Sequence, residues 1–174
     1  MNLIDGVKVT KLALHQDERG SLTELYTENQ KEFWSGPPRH VYTSEVYAGC
    51  VKAFHYHKIQ TDRFSCVYGL LKLVLFDCRP DSKTKGEINE FFLGPRCPKT
   101  VEIPPGVLHG FKGCEGEGEK AIVINSCTHP YNPADPDEYR VHPHYDGIQK
   151  EDFEKLGLGI HFDRVPYDWD RKDF

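Results

Sequence analysis

No apolar run in this chain approaches the roughly 20 residues that a helix needs to span a bilayer. The opening stretch MNLIDGVKVTKLALHQDERG also lacks the long apolar core of a signal peptide. No basic run stands out: 22 Lys and Arg are set against 27 Asp and Glu, for a net charge of −5. These absences argue against membrane and nucleic-acid partners and point to the cytoplasm, while leaving room for a small basic pocket that takes a phosphate. The six cysteines, Cys50, Cys66, Cys78, Cys97, Cys114 and Cys127, form no C-x-x-C pair. In a cytoplasm they are expected to be reduced rather than disulfide-bonded or zinc-bound, with Cys50, Cys66, Cys78 and Cys127 inside apolar, core-forming runs. Repeats and low-complexity tracts are missing too. The 174 residues therefore read as a single domain over 1–174, with a core over roughly 7–133 and a loop-rich extension over 134–174.

What is present is a succession of short strand-like runs: VKVTKLAL, SLTELYT, RHVYTSEVY, CVKAFHYH, RFSCVYG, LKLVLFDCR, EINEFFLG, KTVEIP and KAIVINSC. Most are rich in Val, Ile, Phe, Tyr and Thr, and turn signals such as DERG, SGPP, RPDSKTKG and PPG separate them. This punctuation predicts an all-β sandwich or barrel rather than βαβ units. One helix is expected, late and short, over IQKEDFEKLGL. The Pro- and Asp-rich segment THPYNPADPDEYRVHPHYDG reads as a long ordered loop laid over the barrel.

The stretch GCVKAFHYHKIQTDRFSCVYG, Gly49 to Gly69, sets two histidines one residue apart. Residues i and i+2 of a strand share a face, so His55 and His57 project together and Tyr56 projects away. If that face is a barrel interior, three readings are open. The pair is part of a metal cage, or a general base in a sugar pocket, or a hydrogen-bonded polar patch without chemistry.

The spacing of Gly49, His55, His57, Asp62 and Gly69, followed by Pro104-Pro105-Gly106 and His109, resembles the paired motifs of the cupin superfamily. That resemblance implies a jelly-roll barrel, or double-stranded β-helix. On the metal-binding branch it implies ligands at His55, His57, Asp62 and His109 for a divalent ion such as Fe, Mn, Ni or Zn. Asp62 stands where glutamate is usual, and Gly113 where the second motif usually ends in asparagine.

A longer resemblance runs over roughly Asp17 to Pro133. DERGSLTE, VKAFHYH, FDCRPDSKTKG, IPPGVLHGF and YNP, in this order, are similar to blocks of the dTDP-4-dehydrorhamnose 3,5-epimerase family, a metal-free branch of the cupins. The resemblance implies a homodimeric isomerase without a cofactor, acting on a 4-keto deoxysugar nucleotide in surface polysaccharide or deoxysugar synthesis. The family's catalytic base falls on His55, and its sugar and phosphate contacts fall on Arg19, Glu24, Lys52 and His109. Its catalytic lysine position reads Asp62, with Arg63 beside it, and its catalytic tyrosine position reads Asn125. The aspartate that partners the base is to be sought among Asp168, Asp170 and Asp173. The family's dimers exchange an N-terminal strand, and VKVTKLAL is an alternating run that would otherwise leave an open edge. Two further readings stand beside the epimerase: a metal-dependent isomerase or dioxygenase using His55, His57, Asp62 and His109, and a sugar-nucleotide-binding protein without catalysis.

Overall fold

LKLVLFD is apolar at nearly every position, whereas KAIVINSC alternates between buried and half-buried residues. A strand of the first kind must be covered on both faces, and the architecture follows from that demand. The computed structural model describes residues 2–31, 34–116, 118–144, 148–157 and 162–171. Its strands are β1 (Lys8–Lys11), β2 (Leu14–Asp17), β3 (Gly20–Thr23), β4 (His40–Tyr47), β5 (Val51–Tyr56) and β6 (Asp62–Tyr68). They continue with β7 (Leu71–Asp77), β8 (Ile88–Leu93), β9 (Lys99–Ile103), β10 (Val107–Gly113), β11 (Lys120–Cys127) and β12 (Tyr139–Arg140), and the α-helix α1 (Ile148–Leu156) follows. The strands form two five-stranded antiparallel sheets, β1-β9-β6-β11-β4 and β12-β5-β10-β7-β8, with β2-β3 as a separate hairpin. This is the all-β architecture that the strand pattern predicted and the jelly roll that the family resemblance implied. Among the described residues no helix is long and apolar enough to cross a membrane.

Two apolar layers hold it together. Between the sheets lie Leu71, Leu73, Leu75, Phe64, Val101, Phe111 and Val123. The other face of the second sheet presents Phe54, Tyr56, Val74, Phe76 and Leu108, which pack against Val141, Phe153, Leu156, Val165, Tyr167 and Trp169 of the C-terminal extension. Each such side chain, fully buried, contributes about 1.5–3 kcal/mol. The extension is thus a third layer, which explains why β7 is apolar on both sides. At the β6–β7 turn, Gly69 adopts φ +70°, and a Cβ there would meet the Lys120 carbonyl oxygen at 2.2 Å. Only glycine closes this turn.

Within VKVTKLAL, β1 pairs with β9 of its own chain, Val9 opposite Val101, and forms one edge of the first sheet. One expectation changes. Cys50 is exposed rather than in the core, because it lies in the turn between β4 and β5, while Cys66, Cys78 and Cys127 are buried; all six thiols are free. The run VLHGFKG, whose glycines and lysine dilute the strand signal, forms β10 at the centre of the second sheet. The helix covers Ile148 to Leu156 as expected, and Leu158 lies outside the described residues.

Candidate active site

At one end of the barrel the sheets part around a cavity of about 840 Å³, lined from β4 by His40, Tyr42 and Ser44 and from β5 by Lys52 and His55. His57, one residue past the end of β5, completes that wall. Tyr56 points the other way, 3% exposed in the outer apolar layer, so the two-residue period holds through the HYH motif. The Pro- and Asp-rich loop closes over the mouth with Tyr131, Asn132, Asp135 and Asp137, as the sequence implied.

Beneath His57 lies Asp62, the first residue of β6, 1% exposed. Its Oδ1 accepts from Gln60 Nε2 at 2.7 Å and from Asn125 Nδ2 at 3.0 Å. Its Oδ2 lies 3.2 Å from His57 Nε2 and 3.1 Å from His109 Nε2. His109 comes from β10, directly opposite His55 of β5 in the ladder, and the two rings meet edge-on with centroids 5.8 Å apart. The outer nitrogens of the two imidazoles that face Asp62 are tied to the main chain. His109 Nδ1 donates to the Val107 carbonyl at 3.1 Å, and His57 Nδ1 makes a short hydrogen bond to the Asp137 carbonyl. A carbonyl only accepts, so both Nδ1 atoms carry hydrogen. The Asp137 carboxylate in turn receives the backbone N–H groups of Lys58, Ile59 and Gln60, which sets the course of the chain between the two motif strands.

The electrostatics separate the two motif histidines. Burial, reinforced by His109 and Arg140, pulls the His55 pKa down to about 3, so its imidazole is neutral at ordinary pH. Burial would lower His57 as well, but the hydrogen bond and charge of Asp62 outweigh it and raise His57 above its usual value. Burial works to raise Asp62, yet His109 and His57 hold its carboxyl well below the usual range. Across the cavity the Tyr42 hydroxyl accepts from Asn125 Nδ2 at 2.9 Å, leaving its own proton free. Burial, with the charge of Asp62, pushes that phenol up to about 12, so it stays protonated. Lys52 Nζ donates to Ser44 Oγ at 2.9 Å on the cavity wall, and Arg140, opposite His55 in the β12–β5 pairing, adds a second cation.

The structure therefore brings together His55, His57, Lys52, Asp62 and His109. It does not bring in Arg19 and Glu24. Arg19 sits in the turn of the β2–β3 hairpin, its side chain 84% exposed and paired with Asp17, and Glu24 follows the hairpin, also exposed; neither lines the cavity. Nor does Asp168 or Asp170 reach His55. Asp170 pairs with Lys112 on the outer side of the second sheet, Asp168 accepts from the Asp170 N–H, and Asp173 lies outside the described residues. Arg63 points away from the cavity onto Glu102 at 2.7 Å and is structural. The carboxylate at the site is Asp62, which serves His57 and His109. Residue-by-residue reading missed Tyr42, although His40, Tyr42 and Ser44 alternate in RHVYTSEVY and line one face together. Asp137, Gln60 and Arg140 carried no comparable signal.

The family model described as dTDP-4-dehydrorhamnose 3,5-epimerase matches residues 2–154. The chain is 42% identical over 142 residues to the spore coat polysaccharide biosynthesis protein SpsL of Bacillus subtilis strain 168, covering 80% of this chain and 89% of that one. It is 35% identical over 139 residues to a probable low-salt glycan biosynthesis epimerase of Haloferax volcanii, covering 79% and 87%. Among solved structures, a dTDP-4-dehydrorhamnose 3,5-epimerase from Sulfolobus tokodaii superposes with a TM-score of 0.72 at 27% identity, covering 82% of this chain and 81% of that one. A dTDP sugar isomerase from Desulfovibrio desulfuricans gives 0.73 at 25% identity, covering 84% and 96%.

Proposed function

The chain belongs to the dTDP-4-dehydrorhamnose 3,5-epimerase family, and from that premise we propose that it is a cytoplasmic, homodimeric epimerase of a 4-keto deoxysugar nucleotide in surface polysaccharide synthesis. The observation that carries the reading is the placing of a base and an acid on opposite sides of one cavity. His55 rises from β5 in one sheet, and Tyr42 from β4 in the other. A C–H bond beside the sugar ketone is acidified by the carbonyl. His55, neutral and facing the cavity, takes that proton, and an enolate forms. The phenol of Tyr42 returns a proton to the opposite face of the same carbon, which inverts it. The imidazolium formed on His55 is then paired with the enolate, a charge that the free protein lacks. Lys52 and Arg140 meet the diphosphate at the rim, where two cations suit a doubly charged anion.

The homodimer is supported by the hairpin rather than by an exchanged β1. Leu14 and Leu22 on β2–β3 are 44% and 63% exposed, one on each face of the hairpin, and are free to pack against a second copy. Arg19 and Glu24 meet a sugar nucleotide only where that hairpin reaches the cavity of a second copy.

The test is incubation with a 4-keto deoxysugar nucleotide in D2O. Deuterium enters beside the ketone in the wild type, and His55→Asn lowers the exchange rate by about 10²–10⁴-fold while nucleotide-sugar affinity stays within a few-fold. A wild-type protein that binds such sugars without exchanging the proton would be a binding protein instead.

A further inference from the structure

We propose that Asp137 is a positioning residue for diphosphate binding: it hooks the mouth loop onto the turn between β5 and β6 and so sets Arg140 against His55. The demand comes from the main chain. In that turn three successive N–H groups converge on one carboxylate. Lys58 donates to Asp137 Oδ1 at 2.7 Å, and Ile59 and Gln60 donate to Oδ2 at 2.8 and 2.9 Å. Successive N–H groups arranged in this way form a concavity that takes an anion. An ionised aspartate, which only accepts, has lone pairs enough for all three. Here the anion belongs to the chain itself, 77 to 79 residues further along.

The hook completes a loop that is tied at both ends to the same short segment. At the start of the loop the Thr128 N–H donates to the Thr61 carbonyl at 3.1 Å, and the Thr61 N–H donates to Thr128 Oγ1 at 3.0 Å. At its end Asp137 holds residues 58–60 with its carboxylate and His57 with its carbonyl. Between the ties the bracing is local: Asn132 accepts the N–H of Ala134 at 3.1 Å and that of Asp135 at 3.3 Å. Tyr131, Asn132 and Asp135, all exposed, are held over the cavity by these two ties.

Arg140 comes three residues after the hook. It belongs to β12, only two residues long, which pairs Tyr139 with Tyr56 and Arg140 with His55. So short a strand has little ladder of its own to fix its place. On its far side Val141 and Phe54 exchange N–H···O bonds at 3.0 and 2.8 Å. Asp137 supplies the tie on the near side, so Arg140 is fixed from both ends. The side chains join the same two segments: Lys58 Nζ lies 4.4 Å from the centroid of the Tyr139 ring. Glu138 pairs with the Arg140 guanidinium, and both line the cavity. Without the hook the strand is anchored from the Val141 side only, and the guanidinium loses its place beside Lys52. Binding must then order it again, which lowers affinity for the anion while leaving the base untouched. The diphosphate role of Arg140 rests on the epimerase reading, whereas the hook does not.

The experiment measures binding of dTDP and of thymidine to the full-length protein by calorimetry, without turnover. Wild type should bind dTDP at least about 10-fold more tightly than thymidine, and Arg140→Ala should weaken dTDP alone by about 10–100-fold. Asp137→Ala, with unchanged circular dichroism, should weaken dTDP by about 10-fold and leave thymidine unchanged. Added to Arg140→Ala it should have no further effect, because residues that act through one another are not additive. Asp137→Asn, whose remaining oxygen still accepts from Ile59 and Gln60, should recover part of the loss. Amide hydrogen exchange at residues 58–60 should quicken in Asp137→Ala. Three results overturn the role: wild type that binds dTDP no better than thymidine, unchanged dTDP affinity in Asp137→Ala, or losses at Asp137 and Arg140 that multiply in the double variant. The last two leave the epimerase standing, because proton exchange beside the ketone is read separately. Coupled losses in a protein that never exchanges that proton remove the epimerase and leave the positioning role.

Discussion

Asn125 Nδ2 donates to Asp62 Oδ1 at 3.0 Å, across the β11–β6 pair. The resemblance sets these two residues at the positions of the family's tyrosine and lysine. They are also in contact, so the two substitutions act as one. The amide that replaces the phenol steers the carboxylate that replaces the ammonium, and the same amide reaches across to the Tyr42 hydroxyl on β4. A phenol is thus still present at the cavity, supplied from the neighbouring strand.

Tyr42→Phe tests that relocation. Without the phenolic proton, His55 still removes the proton beside the ketone but only His55 can return one, to the face it came from. Epimerisation should fall by about 10²–10⁴-fold, while deuterium exchange with retention of configuration persists. Product stereochemistry and deuterium content, followed together by NMR, check it. Equal loss of exchange and inversion would place Tyr42 in binding instead.

His55 should titrate far below an ordinary histidine. Its folded pKa is lowered to about 3, against about 6.5 in the unfolded chain. Between those values the unfolded state binds more protons, so this residue's contribution to stability is complete above about pH 6.5 and is lost as pH falls toward 3. Imidazole C–H shifts followed from pH 8 to 4 should stay flat for His55. A midpoint near 6.5 would mean that the free site admits water to this ring.

Gly110→Ala should be severe although the residue is neither in a turn nor at positive φ. A Cβ at this position would lie 2.2 Å from Ala53 Cβ and 2.8 Å from Ala53 Cα. Between the His109–His55 and Phe111–Lys52 pairs only Gly110 stands on β10, while Ala53 and Phe54 stand on β5. The clash therefore falls on the bulge that sets His55 against His109. We expect a loss of about 3 kcal/mol or more in urea unfolding, partly restored by adding Ala53→Gly.

The hairpin gives the oligomer its test. Light scattering should give about 40 kDa, twice the 20.0 kDa chain. Leu22→Asp should shift the mass toward the single chain, because it sets a charge in a contact that buries leucine. In the dimer, Arg19→Ala should raise KM with kcat little changed, the signature of lost substrate binding.

Most of the barrel and part of the site were legible in advance. HYH works as a motif because the strand period is local: alternate side chains share a face whatever else the chain does. His55 and His57 could therefore be assigned to one face from spacing alone, whereas Asp62 and His109 joined them only through the resemblance to the cupin motifs. Arg19 fails the same logic. A turn such as DERG states its own conformation, but which cavity it faces depends on where the hairpin docks.

Determined by the sequence alone were the strand alternation, the turns that punctuate it, and the shared face of His55 and His57, because each arises within a few residues. Only the tertiary structure decided how those residues divide their work. Asp62 could be read as a family lysine's replacement or as a solvated turn residue until β11 and β10 packed around it. The roles of Asn125, Gln60 and Asp137 exist only as contacts between segments far apart in the chain, and no local pattern encodes such contacts. The separation of His55, neutral, from His57, bound to a carboxylate, is of the same kind. Two identical side chains two residues apart differ because burial and neighbouring charge are properties of the folded interior.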